Sequence, residues 1–219
     1  MTQQVVNALT LGSVIALFAL GYSMVYGILT ILNFAHGEVF MIGAFVGYLV
    51  ETAFIRDNQL TANPILIILL ALLAAMLACG LLAVTIEFLA YRPLRNAARL
   101  APLISALAMS VLLRNIVGVV TQFRSRPIAT DLLLPPRWSL EIGGSTIGAN
   151  RIVIIVVTFV ALIVLELFMA RTKAGKAMRA CAQDREAASF MGISVNGIIS
   201  LTFLVGAMMA GIGGVLTGL

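Results

Sequence analysis

From Val5 to Ile28 the sequence carries no Asp, Glu, Lys or Arg, and comparable apolar stretches follow at about 39–50, 65–90, 101–122, 152–170 and from 197 onward. A helix needs about 20 apolar residues to cross the hydrocarbon core of a bilayer. In lipid the backbone must satisfy its own hydrogen bonds, so spans of this kind fold as helices. The composition agrees: 61% of the 219 residues are hydrophobic and 11% charged, against roughly 25% charged in a soluble domain. The expectation is an all-α, polytopic transmembrane helix bundle of about six spans forming one domain over residues 1–219.

Orientation is read from the basic residues. The net charge of +5 would suggest nucleic acid in a soluble chain, but here the basic residues cluster beside apolar spans, so no nucleic-acid partner is expected. Segments 91–99 and 171–185 hold eight Lys and Arg, whereas 1–13, 51–63 and 123–151 hold five over a greater length. The positive-inside rule then puts the two basic loops in the cytoplasm, with the N-terminus and the loop of about 123–150 on the far side. Glu51 is read with Arg56, Asp57 and Asn58 as part of a polar connection over 51–63, closed by Pro64 in the first turn of the next helix.

The stretch Arg171 to Gly192, within a connection of about 171–197, clearly cannot lie in lipid, although long apolar segments flank it on both sides. Its first half is a basic run. Its second half reads as a short helix with Asp184 as N-cap, Glu186 in the first turn and Gly192 just past the end. It is either a solvated loop with an incidental helix or a docking element.

A second group of polar residues lies at or near membrane depth. Asn33, His36, Glu38 and Arg114 would each cost about 3 kcal/mol or more in lipid if unpaired, so they are expected to face the bundle interior, a cavity or an interface. Asn33 to Glu38 reads either as a broken helix lining a substrate path, or as a short loop with Asn33 capping the second span and Glu38 near its positive end. Arg114, which interrupts the fourth apolar stretch together with Asn115, either contacts an anionic group of a substrate, snorkels, or pairs with a carboxylate. His36 and Glu38 are two apart and point to different helix faces, so no metal site is expected. Cys79 and Cys181 lack metal-ligand spacing. The sequence contains no P-loop, nucleophile elbow or HExxH motif, and no catalytic residue or cofactor is assigned. Energy for active transport would come from another chain.

Four segments together resemble the inner-membrane permease subunits of branched-chain amino-acid ABC importers: Gly21-Tyr-Ser-Met-Val-Tyr-Gly27, Asn33-Phe-Ala-His-Gly-Glu38, Tyr91-Arg-Pro-Leu-Arg95 and Ala182-Gln-Asp-Arg-Glu-Ala-Ala-Ser-Phe-Met-Gly-Ile193. The resemblance runs the length of the chain. It implies a multi-pass subunit of a bacterial inner membrane that pairs with a second, homologous permease. It also implies docking of two cytoplasmic ATPase subunits and receipt of substrate from a periplasmic binding protein. Glu186, Ala187, Ala188 and Gly192 match the Glu-Ala-Ala-x-x-x-Gly core that sits in an ATPase cleft, with Asp184 ahead of it, and Asn33, Phe34, His36, Glu38 and Arg114 become candidates for the translocation path. The longer motif continues Ile-x-Leu-Pro, and Thr202, Leu204 and Val205 stand at those places, so only the leucine agrees. Family members usually continue through further spans, which makes a C-terminal truncation the expectation. Urea or short amides are the rival substrates, an ion-coupled transporter using Glu38 and Arg114 a rival mechanism, and an intramembrane enzyme with His36 as base a more distant one.

Overall fold

A computed structural model describes residues 2–56, 63–95, 97, 98, 100–122, 140–142 and 145–219. Six helices among them are long and apolar enough to cross a membrane. They are α1 (Thr2–Leu29), α2 (His36–Arg56), α3 (Pro64–Ile86), α4 (Leu100–Thr121), α5 (Ala149–Arg171) and α8 (Val195–Gly218). Two shorter helices, α6 (Lys173–Gln183) and α7 (Arg185–Phe190), fill the connection between α5 and α8. The expected helix bundle is present. A small antiparallel hairpin, β1 (Leu140–Ile142) and β2 (Ser145–Ile147), departs from it. It falls inside the segment expected to be one long external loop. Most of that segment, 123–139 and 143–144, lies outside the described residues, as do 57–62, Asn96 and Arg99.

Helix α3 shows how lipid shapes the sequence. Ile67, Ala71, Ala75, Cys79 and Ala83 are buried at a spacing of four, while Leu69, Leu73, Leu77 and Leu81 form an exposed stripe on another face. Both stripes are apolar because one faces protein and the other faces lipid tails. The inner stripe is small, as expected where the gain comes from close packing and not from escaping water.

Helix α8 is the axis of the bundle, packed against α1, α2 and α3. Its small residues set the spacing. A Cβ on Gly206 would lie 2.7 Å from the carbonyl oxygen of Gly21 on α1, and one on Gly43 of α2 would lie 2.8 Å from Gly211 Cα. The backbones approach where the sequence removes side chains. Gly47, one turn after Gly43, faces Val215.

Two expectations about boundaries change. Helix α2 begins at His36, so the polar break is confined to residues 30–35 and His36 and Glu38 belong to the first turn. Helix α2 also runs on to Arg56, and Glu51 is fully buried with no hydrogen-bond partner for either carboxylate oxygen. It continues the Gly43 and Gly47 face by one more helical turn, which draws it inward and out of the polar connection. The fourth span keeps its expected bounds: α4 passes through Arg114 and Asn115 unbroken, and the Asn115 amide donates to the Val111 carbonyl at 2.7 Å.

Candidate translocation path and docking helix

Helix α1 ends at Leu29, and Thr30, with φ 54°, turns the chain out of the helix. The next turn is organised by Asn33. Its side-chain oxygen accepts from the Ala35 amide at 3.1 Å and from the Tyr91 hydroxyl at 2.7 Å, while its carbonyl accepts from the His36 amide at 3.1 Å. Tyr91 reaches Asn33 from the last residue of a π-helical turn, Glu87–Tyr91, at the end of α3. The turn leaves Tyr91 buried against Phe203 of α8, with ring centroids 5.4 Å apart.

His36 is 2% exposed. Its ring lies 5.1 Å from that of Phe18 and 5.8 Å from that of Tyr22, centroid to centroid, and Nε2 has no hydrogen-bond partner. Gly21 makes this approach possible, since a Cβ there would stand 3.2 Å from Nε2. Glu38, also buried, accepts from the Ser110 hydroxyl at 3.0 Å and from Arg114 Nη2 at 2.9 Å, joining α2 to α4. Of the alternatives for Arg114, the structure shows pairing with a carboxylate. Arg114 remains largely exposed, so this pair has an exposed side and a buried side. Phe34 is 41% exposed and stands apart from the buried group.

The connection from α5 to α8 is mostly helical. Thr172 caps α6 by accepting from the Gly175 amide at 3.0 Å, and Gly175, Met178 and Cys181 form its buried face. Asp184 caps α7, accepting from the amides of Glu186 at 2.8 Å and Ala187 at 3.0 Å. At the other end Gly192 takes φ 81°, its amide donates to Ser189 O, and the Ile193 amide reaches back to Ala188 O at 3.1 Å. This is the glycine-terminated helix end expected from the sequence. Glu186 and Ala187 are exposed while Ala188 is buried in the same apolar cluster as Ala35 and Tyr91. Phe190 and Met191 are 89% and 84% exposed. Burial pushes the Cys181 thiol up from its ordinary range, with Arg185 opposing.

A third polar group ties these parts together. Glu87 is 1% exposed; it pairs with Arg95 and accepts from the Ser200 hydroxyl at 2.7 Å, and Arg95 also donates to Asn196 at 2.6 Å. Burial holds the Arg95 guanidinium below its ordinary range, with Glu87 pulling the other way. Arg185 donates Nε at 3.0 Å and Nη2 at 2.5 Å to the carbonyl of Ile28 on α1. The recess between these two arginines, about 610 Å³, is lined by Tyr26, Leu29, Thr30, Leu32 and Leu103 among others.

Residues 4–219 match the family described as the branched-chain amino acid transport system permease component. The chain belongs to that family. Among curated relatives, the high-affinity branched-chain amino acid transport system permease protein BraD of Pseudomonas aeruginosa is 42% identical over 220 residues, covering 99% of this chain and 70% of the relative. The permease protein LivH of Escherichia coli K12, of the same description, is 41% identical over 219 residues, again 99% and 70%. A probable LivH of the archaeon Methanocaldococcus jannaschii is 26% identical over 213 residues, 95% of this chain and 63% of the relative. No solved structure matches. The permease therefore carries two clusters on neighbouring elements: the buried polar turn at 33–38 with Arg114, and the capped helix 185–190 with an exposed apolar tip. Sequence reading missed Arg185, Glu51 and the Glu87–Arg95 pair as structural contacts.

Proposed function

We propose that this chain is the membrane-spanning permease subunit of an ATP-driven importer for branched-chain amino acids, moving substrate inward by alternating access. The observation that carries the reading is the 42% and 41% identity, across 99% of the chain, to permease proteins of high-affinity branched-chain amino acid transport systems. The same relatives favour branched-chain amino acids over urea. ATP hydrolysis belongs to two cytoplasmic partner subunits, substrate arrives from a periplasmic binding protein, and a second homologous permease completes the path in the bacterial inner membrane. The basic loops and α7 face the cytoplasm and the N-terminus faces the periplasm.

Helix α7 is the docking element. Its caps make it a stiff short unit, Glu186 and Ala187 present the exposed side of the match, and Phe190 and Met191 offer apolar area for a cleft. Asn33, His36, Glu38 and Arg114 bound the translocation path, where the buried side of the Glu38–Arg114 pair meets its exposed side; Phe34 flanks the path.

The experiment is uptake by the assembled transporter in proteoliposomes with its binding protein. Labelled leucine should accumulate with ATP inside and not without it, and unlabelled urea should not compete. Urea competition, or uptake without ATP, would overturn the reading. Gly192→Val, which forces a branched side chain into φ 81°, and Glu186→Lys should each reduce ATPase association or uptake. Normal values of both in both variants would remove α7 from the coupling role.

A further inference from the structure

The last turn of α1 is held from outside the helix. The Ile28 carbonyl would ordinarily accept from an amide four residues on, but the chain leaves the helix at Thr30 and that amide is lost to it. Two guanidinium N–H groups of Arg185 take its place, at 3.0 and 2.5 Å, across 157 residues of sequence. A cation at the negative end of a helix dipole, making two charge-assisted bonds to one oxygen, is a strong local tie.

Its surroundings give this tie mechanical meaning. The end of α1 borders two spaces: the recess of about 610 Å³ toward Arg95 and Leu103, and another of about 150 Å³ toward Met169, Met178 and Ala182. The last turn of α1 thus has room on two sides. Arg185 is the first residue of α7, directly after the Asp184 cap. Farther along α1, Gly21 meets Gly206 of α8, and Phe18 and Tyr22 enclose His36. Displacing α7 would draw on the α1 terminus, and α1 leads straight to the buried polar turn.

We propose that Arg185 is a positioning residue that transmits movement of the docking helix to the first span through the Ile28 carbonyl. This rests on the reading of α7 as the ATPase-docking element. Arg185 itself touches neither nucleotide nor substrate. Its role is to make α1 follow α7.

The test uses the assembled transporter in proteoliposomes, with Arg185→Gln and Arg185→Lys beside the unmodified chain. Leucine uptake, ATP hydrolysis and co-purification of the ATPase subunits are measured together. Gln should keep the ATPase subunits bound in the ordinary ratio while leucine imported per ATP falls about tenfold, the scale of one charged hydrogen bond. Lys, which restores the positive charge that Gln lacks, should recover part of that loss. A residue needed only for folding would instead lower yield and ATPase association and leave the ratio alone. An unchanged ratio in Arg185→Gln, or loss of the ATPase subunits, overturns the proposal. Failure of the unmodified transporter to import leucine with ATP would instead overturn the functional reading on which it stands.

Discussion

Replacing Glu87 by Gln keeps the shape of the side chain and an acceptor for Ser200, and removes the charge that faces Arg95. The carboxylate is 1% exposed and the Arg95 side chain 13% exposed, so neither charge is well hydrated. Arg95 also feels Arg92 and Arg185, both like charges. Removing one member of a buried pair costs about 3–5 kcal/mol, because the other is left uncompensated, whereas replacing both with apolar groups is often close to neutral. The expected loss for Glu87→Gln is therefore about 3–5 kcal/mol, and the double variant Glu87→Gln with Arg95→Met, which leaves no charge unpaired, should recover part of it. Reversible unfolding in mixed micelles gives both numbers as a double-mutant cycle. A single-variant cost below about 1 kcal/mol, the scale of a solvent-exposed pair, or a double variant no better than the single, would refute the argument.

The α1–α8 crossing makes a paired prediction. Gly206→Ala places a methyl 2.7 Å from the Gly21 carbonyl and should destabilise by about 1–3 kcal/mol, whereas Gly12→Ala, with nothing within 4 Å, should stay within about 0.5 kcal/mol of the parent. Thermal unfolding of the two variants in detergent decides it. In a Cys79→Ala background, Cys181 should label slowly with a maleimide at pH 7 in the folded protein and quickly in denaturant, since it is buried and its thiol is pushed up. Because the folded thiol holds its proton to higher pH than the unfolded one, its contribution to stability is flat below the ordinary thiol range of about 8.5 and falls as pH rises through it. Fast labelling of folded protein at pH 7 would contradict this.

The parts of the structure governed by local chemistry were legible in the sequence. Asp184 and Gly192 mark the two ends of α7 because capping involves groups within three or four residues, and the structure places both in those roles. The spans were legible because bilayer thickness fixes their length. Helix α6 was read only as a basic run, yet Gly175, Met178 and Cys181 recur every three residues beneath the Lys and Arg that draw attention. That spacing was the available signal. Glu51 was misplaced because its neighbours along the chain, Arg56 to Asn58, are polar, while its burial depends on the face it shares with Gly43 and Gly47. The bonds from Glu38 to Arg114 and from Arg185 to Ile28 join residues 76 and 157 apart. No local pattern encodes them; they follow from which helices α8 gathers around itself. The permease family motif marked α7 for docking but said nothing of the residue beside it that holds α1.

The docking role of α7 is open to one direct measurement. Phe190, 89% exposed at its tip, can be replaced by a photoactivatable amino acid in the intact transporter in its native membrane. On illumination the account predicts a cross-link from position 190 to an ATPase subunit. A cross-link to the periplasmic binding protein, or to lipid alone in a transporter that retains its ATPase subunits and imports leucine, would contradict it.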